Sequence, residues 1–346
     1  MSQPRLSRSP LPAVGRVQHG PIRLDLTTNP FGPSLSVYEA LGDSQRWQEA
    51  DQTAAARLRR EIAGIVGVPS NWLLLGNGID ELLDAVYLSW RERGPLVLFP
   101  PSSPAQERRA QIHRVPVIPI QRTSAFALEL DVETVSDLPP GCWAIVESPN
   151  DPTGSLLDAA DAVRLSRATE LLIIDERHGA YSGRSMVPLV REFENIVILQ
   201  TMETWASLSS FPVAYAIGPP ALLCRLNAYR AREEITAGGL IAATATIEDL
   251  AYMKATLQRV RHGRSRLYRM IRKLNMVSPC PSWANFLPVR IERGTAPQIV
   301  DGLADRGIRV FQPAQLELRR LLRVSVGRPE ETDALKKALI EIALDL

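Results

Sequence analysis

The sequence predicts an α/β protein: a mostly parallel sheet covered by helices on both faces, three layers in all, followed by a smaller α/β unit. Three observations lead there. Short, almost wholly apolar runs recur from residue 95 onward. Helical stretches separate several of them. The runs lack polar alternation, which marks strands buried on both faces.

Taken in order, residues 1–22 are rich in proline, arginine and serine and read as an arm. LDLTTNPFGPS (24–34) is a short extended piece and a turn. ARLRREIAGIVGV (56–68) has apolar residues at helical spacing. LLLGNG (73–78) leads into DELLDAVYLSW (80–90), whose Asp80 and Glu81 suit the first turn of a helix. Strands are predicted at 95–100, 115–120, 142–148, 171–176, 195–201 and 213–218, and helices at 158–168 and 220–234. One long helical stretch follows over about 240–274. Strands near 285–291, 307–312 and 321–327 and helices near 296–305 and 330–344 complete the smaller unit. The expected division is an arm (1–35) joining the small domain, a large domain (36–246) and a small C-terminal domain (247–346).

Composition narrows the function classes. The 346 residues carry 40 lysines and arginines against 38 aspartates and glutamates, a net charge of +2. A nucleic-acid surface needs a clustered basic excess, so none is expected. With 45% hydrophobic and 23% charged residues the chain is ordinary for a folded soluble protein. No apolar run approaches the ~18 residues of a membrane span, and the N-terminus lacks the apolar core of a secretory signal. The three cysteines, Cys142, Cys224 and Cys280, are far apart. They form no disulfide framework and no metal pattern, and a reducing cytoplasm is expected. Lysine occurs only at 254, 273, 336 and 337. The first 253 residues thus contain no side-chain amine able to form a Schiff base, because guanidinium stays protonated.

A series of segments resembles, in order and spacing, the class I/II aminotransferases of the pyridoxal-phosphate (PLP) fold type I, and within them histidinol-phosphate aminotransferase. The segments are NPFGPS (29–34), GNGIDELL (76–83), SPNDPTG (148–154), IIDERHGAY (173–181), TMETWASLSSFPVAYAIG (201–218), PSWANFLPV (281–289) and LRVSVGRPEE (322–331). The resemblance runs from about residue 24 to the C-terminus. It implies that fold, with a three-layer αβα large domain, and a homodimer acting in amino-acid biosynthesis.

The same resemblance maps a cofactor cleft onto Gly78, Ile79, Ser103, Asp151, Asp175, His178, Thr201, Thr204 and Pro212, and substrate contacts onto Asn29, Asn150 and Arg323. Most of the cofactor chemistry is altered. The family's Schiff-base lysine falls on Thr204, whose hydroxyl can neither form an imine nor serve as a good base. The phosphate-binding arginine falls on Pro212, the ring-stacking aromatic on Ser103, and the two ring-hydroxyl donors on Asp151 and His178. The tyrosine that reaches a partner's phosphate aligns loosely with Trp47. Asp175 and Arg323 persist, matching the carboxylate that pairs with the pyridinium nitrogen and the arginine that grips an anionic substrate. The GNG turn also persists, and backbone N–H groups there can hold an anion.

Ordinary PLP–lysine transamination is therefore not expected. No covalent cofactor is anticipated, at most weak non-covalent PLP binding, and no metal. Asp175 and His178 are the candidate catalytic residues, with Asp151 completing an acid–base cluster. Glu203 and Thr204 are further candidates, although a solvated loop carboxylate is the plainer reading of Glu203. Trp205 reads as filler for lost cofactor volume, and Arg319 and Arg320 as surface charges. Three functions stay open: a divergent protein that binds or acts on a small anionic, amino-acid-like ligand in the former cofactor cleft; a non-catalytic partner in a dimer, as one half of a heterodimer that supports an active homologue; and a conventional PLP-dependent aminotransferase. No membrane partner is expected.

Overall fold

The computed structural model describes residues 20–43, 52–230 and 235–345; Trp47 and residues 1–19 lie outside them. The strands are β1 (Ile22–Leu24), β2 (Leu73–Gly76), β3 (Leu96–Leu98), β4 (Val117–Pro119), β5 (Trp143–Glu147), β6 (Leu171–Asp175), β7 (Ile196–Thr201), β8 (Ala214–Ile217), β9 (Val277–Pro279), β10 (Phe286–Ile291), β11 (Ile308–Val310) and β12 (Leu321–Ser325). The helices are α1 (Leu35–Gly42), α2 (Gln52–Val66), α3 (Ile79–Trp90), α4 (Pro104–His113), α5 (Val132–Ser136), α6 (Ala159–Ala168), α7 (Gly179–Ser182), α8 (Pro220–Asn227), α9 (Ala237–Glu248), α10 (Leu250–Ile271), α11 (Ala296–Asp305) and α12 (Pro329–Asp345).

Seven strands form the large sheet in the order β2-β8-β7-β6-β5-β3-β4. It is mostly parallel; β8 alone runs antiparallel to both neighbours. Alternation along the strands feeds two cores. In β5 and β6, Trp143, Ile145, Leu171 and Ile173 join Leu82, Leu83 and Val86 of α3 on one face. Ala144, Val146, Leu172 and Ile174 join Leu58 and Ile62 of α2 on the other. Both sets are buried, which is why these strands read as unbroken apolar runs.

The smaller unit pairs β12-β10-β9 antiparallel, while β1 pairs with β11 in parallel. Its core joins Val260 and Leu267 of α10, Leu287 and Val289 of β10, Ile299 of α11, Leu322 of β12 and Leu335 of α12. Trp205 packs against both this core and the large one.

Two expectations need correction. The stretch 240–274 is two helices, broken where Asp249 caps α10 by accepting the Tyr252 N–H at 3.3 Å. A side chain that bonds backbone N–H groups starts a new helix more readily than it continues one. The helix expected over 220–234 ends at Asn227. No helix among the described residues is long and apolar enough to cross a membrane.

Candidate cofactor cleft

The positions mapped by the resemblance lie where parallel strands end and polar residues begin, the usual ligand edge of an open α/β sheet. β5 ends at Glu147 and β6 at Asp175, and the two are direct register partners. By alternation both continue the face that carries Trp143 and Leu171, towards α3. Thr201, at the end of β7, continues the face of Val197 and Leu199 in the same way. Three polar clusters form there.

The first surrounds Asp175, which is fully buried. Its Oδ1 accepts the Arg177 backbone N–H at 3.0 Å, and its Oδ2 accepts Arg177 Nε at 2.9 Å and Nη2 at 2.5 Å. Burial works against the Arg177 charge, but Asp175 and Glu147 outweigh it and hold the guanidinium above its usual range. Burial, reinforced by Asp175 and Asp151 and opposed by Arg177, pushes the Glu147 carboxyl up to about 7. Sequence reasoning missed both Arg177 and Glu147. The signal for Arg177 was a charged residue two positions beyond a buried strand-end carboxylate. For Glu147 it was a carboxylate closing the apolar run WAIV.

The second cluster sits at the N-terminus of α3. Gly78, the cap residue, has φ 90°, a conformation suited to glycine, and no side chain to satisfy the first N–H groups. Glu203 reaches in from the loop after β7. Its Oε1 accepts the Ile79 N–H at 3.0 Å and the Thr201 hydroxyl at 2.8 Å. A Cβ placed on Gly78 would lie 3.0 Å from Pro212 Cβ and 3.2 Å from Glu203 Oε1. Gly78, Ile79, Thr201, Glu203 and Pro212 are thus brought together. The solvated-loop reading of Glu203 is corrected: it is half-buried and caps a helix, because a carboxylate is favoured by the unpaired N–H groups and dipole at a helix start. Glu81 adds a second carboxylate, accepting the Asn77 N–H at 2.5 Å and pairing with Arg230 at 3.2 Å.

The third cluster joins the two units. Arg323, on β12, donates Nη1 to Asp151 Oδ2 at 2.5 Å and Nη2 to the Asp25 carbonyl at 2.6 Å. His178 Nε2 lies 3.9 Å from the same Asp151 oxygen, and its ring stands edge-on to Phe286. Burial, with Arg177 and Arg323 adding to it and Asp151 opposing, pulls the imidazole down to about 4, so it is neutral near pH 7. The acid–base cluster is therefore only partly assembled. Asp151 and His178 are neighbours, whereas both side-chain oxygens of Asp175 are bonded to Arg177.

The remaining candidates are engaged structurally. Thr204 donates its hydroxyl to the Arg177 carbonyl at 2.7 Å, while its own carbonyl accepts from Asn29 N and the Tyr181 hydroxyl. Asn29 donates to the Trp205 carbonyl and the Thr256 hydroxyl, and its Oδ1 accepts the Phe31 N–H. Asn150 donates to the Pro101 carbonyl and to Thr153. Ser103 caps α4, accepting from Ala105 N at 3.4 Å. Arg319 and Arg320 are exposed, as expected of surface charges. All four lysines of the chain are exposed, on or just after α10 and on α12. Among the described residues no group of His, Cys, Asp and Glu is placed to hold a metal ion.

A sheet of this order, with polar clusters at its strand ends and a second unit closing over them, is the architecture of a PLP-type transferase. The chain belongs to the class I and II aminotransferase family, whose model matches residues 22–339. Within it the chain is similar to histidinol-phosphate aminotransferases. It is 30% identical over 337 residues to that of Roseiflexus castenholzii, covering 93% of this chain and 90% of that one. It is 29% identical over 331 residues to the chloroplastic protein of Nicotiana plumbaginifolia, covering 94% and 80%. The structure of histidinol-phosphate aminotransferase from Clostridium acetobutylicum matches with a TM-score of 0.86 at 18% identity, covering 94% and 100%. That from Sinorhizobium meliloti, in complex with pyridoxal-5'-phosphate, matches at 0.83 and 23%, covering 94% and 91%. At those identities the structural likeness is one of fold.

Proposed function

We propose that this chain is a non-catalytic member of its family, which serves as a cofactor-free subunit of a homodimer or beside an active homologue. The observation that carries the reading is the Arg177 guanidinium seated on Asp175, the carboxylate that by resemblance would receive a pyridinium nitrogen. The residues present do not fit PLP. Asp175 already holds a cation, the α3 terminus already holds a carboxylate, and Thr204 stands at the position the resemblance gives to the Schiff-base lysine. The exposure of every lysine supports the same conclusion.

The test is titration of the purified protein with PLP, followed by borohydride reduction and peptide mapping. The expected result is no stoichiometric adduct and no cofactor absorbance band. Any labelling would be scattered over the exposed lysines. A single adduct saturating at one per chain, together with transamination of histidinol phosphate, would overturn the reading.

A second reading keeps the cleft as a binding site for a small anionic, amino-acid-like molecule. One observation favours it: both His178 ring nitrogens, Glu147 Oε1, Asn150 Oδ1 and Arg323 Nε are buried without a hydrogen-bond partner. Buried polar groups in native proteins ordinarily find partners, whether protein, water or ligand. Unbiased mass spectrometry of co-purifying small molecules separates the two readings, since a stoichiometric ligand would favour this one.

A further inference from the structure

Three charged positions in the cleft are satisfied from within the chain. Asp175 carries Arg177, Arg323 carries Asp151, and the first turn of α3 carries Glu203. Each of these partners lies in a segment that carries the family resemblance: Asp151 in SPNDPTG, Arg177 in IIDERHGAY and Glu203 in TMETWASLSSFPVAYAIG. Together they reproduce a charge pattern: an anion on the helix terminus, a cation on the strand-end carboxylate and a carboxylate on the arginine.

We propose that the cleft is closed from within, with Glu203, Arg177 and Asp151 as built-in ligands that take the places of an external phosphate, an external ring cation and an external carboxylate. The inference rests on the non-catalytic reading above and adds how the cleft excludes cofactor even without an imine. Glu203 is the clearest case. It comes from 124 residues away to bond Ile79 N–H. Among the described residues no basic side chain forms an ion pair with it; its Oε1 is held by a backbone N–H and a hydroxyl, as an anionic ligand would be. Pro212 forms the wall beside Gly78 and offers no cation. A phosphate entering there would meet the Glu203 carboxylate at contact distance, already bonded to the Ile79 N–H, so the two anions cannot share the terminus.

The probe that separates this from imine chemistry is pyridoxamine 5'-phosphate, which carries the ring and the phosphate but has no aldehyde. Calorimetric titration of the full chain is expected to show no saturable binding. Glu203→Ala is expected to raise affinity for the probe by about ten- to hundredfold, the scale of one relieved contact between like charges. Inorganic phosphate should compete. Should the alanine variant fail to fold, Glu203→Gln takes its place under the same criterion, because the neutral amide can be displaced. Saturable binding by the unmodified chain as tight as by the variants would overturn the proposal, as would a folded variant that gains nothing. Neither result bears on whether a lysine adduct forms or histidinol phosphate is transaminated, so the non-catalytic reading can stand where this proposal fails.

Discussion

Replacing Arg177 with methionine tests the electrostatics of the cleft directly. The substitution keeps much of the side-chain volume and removes the cation from a carboxylate that is fully buried. Asp175 would retain the bond from the residue 177 backbone N–H at 3.0 Å and lose both guanidinium bonds to Oδ2. Glu147, its register partner, would lose the charge that opposes its protonation. Breaking one side of a buried pair costs about 3–5 kcal/mol, since the remaining charge is left uncompensated. Removing both sides with Asp175→Asn/Arg177→Met leaves neutral groups and should cost far less than the sum of the single changes. The coupling energy is expected to be about 2 kcal/mol or more. The assay is urea unfolding of the four proteins followed by near-ultraviolet circular dichroism, with free energies taken from midpoint and slope. A cost below about 1 kcal/mol for Arg177→Met, or additive single costs, would refute the view that Arg177 is the resident counter-ion of Asp175.

Two further perturbations follow from the same geometry. The Glu147 carboxyl is raised from 4.5 to about 7, so between those values the folded state binds the proton more tightly and Glu147 lowers stability as pH rises, levelling off above about 7. Glu147→Gln should therefore gain on the parent protein across that window by up to about 3 kcal/mol; a pH-independent difference in unfolding free energy would count against it. His178, lowered from 6.5 to about 4, acts in the opposite sense, and its contribution grows as pH rises between those values. Gly154→Ala should cost about 2–3 kcal/mol, because φ is +68° and the new Cβ would fall 2.1 Å from Ser282 Oγ, in the segment whose Trp283 N–H bonds the Gly154 carbonyl. An unchanged thermal midpoint would contradict that.

Much of the fold was legible because it rests on local periodicity. The apolar runs of β5, β6 and β7 announced a sheet buried on both faces, and α3, α6, α11 and α12 formed within a few residues of their predicted limits. The antiparallel direction of β8 was not legible, since an apolar run carries no sense of direction. The break before α10 had a signal in Asp249, but an apolar period that continues through it outweighs one polar residue. In the candidate site, Asp175, His178, Thr204 and Arg323 were singled out through the resemblance of their segments. Of their partners, Asp151 was named and Glu203 was a candidate read more plainly as a solvated carboxylate, while Arg177 and Glu147 drew no notice.

By itself the sequence determined the alternation of apolar strands with helices, the near-neutral charge and the lack of any side-chain amine in the first 253 residues. These are properties of composition and spacing, which survive without a fold. Only the tertiary structure decided which charges meet. Arg323 finds Asp151 across 172 positions and Glu203 finds Ile79 across 124. An ion pair depends on distances and burial that exist only after the two cores have packed, and it is there that an inherited scaffold acquires the cleft this chain has.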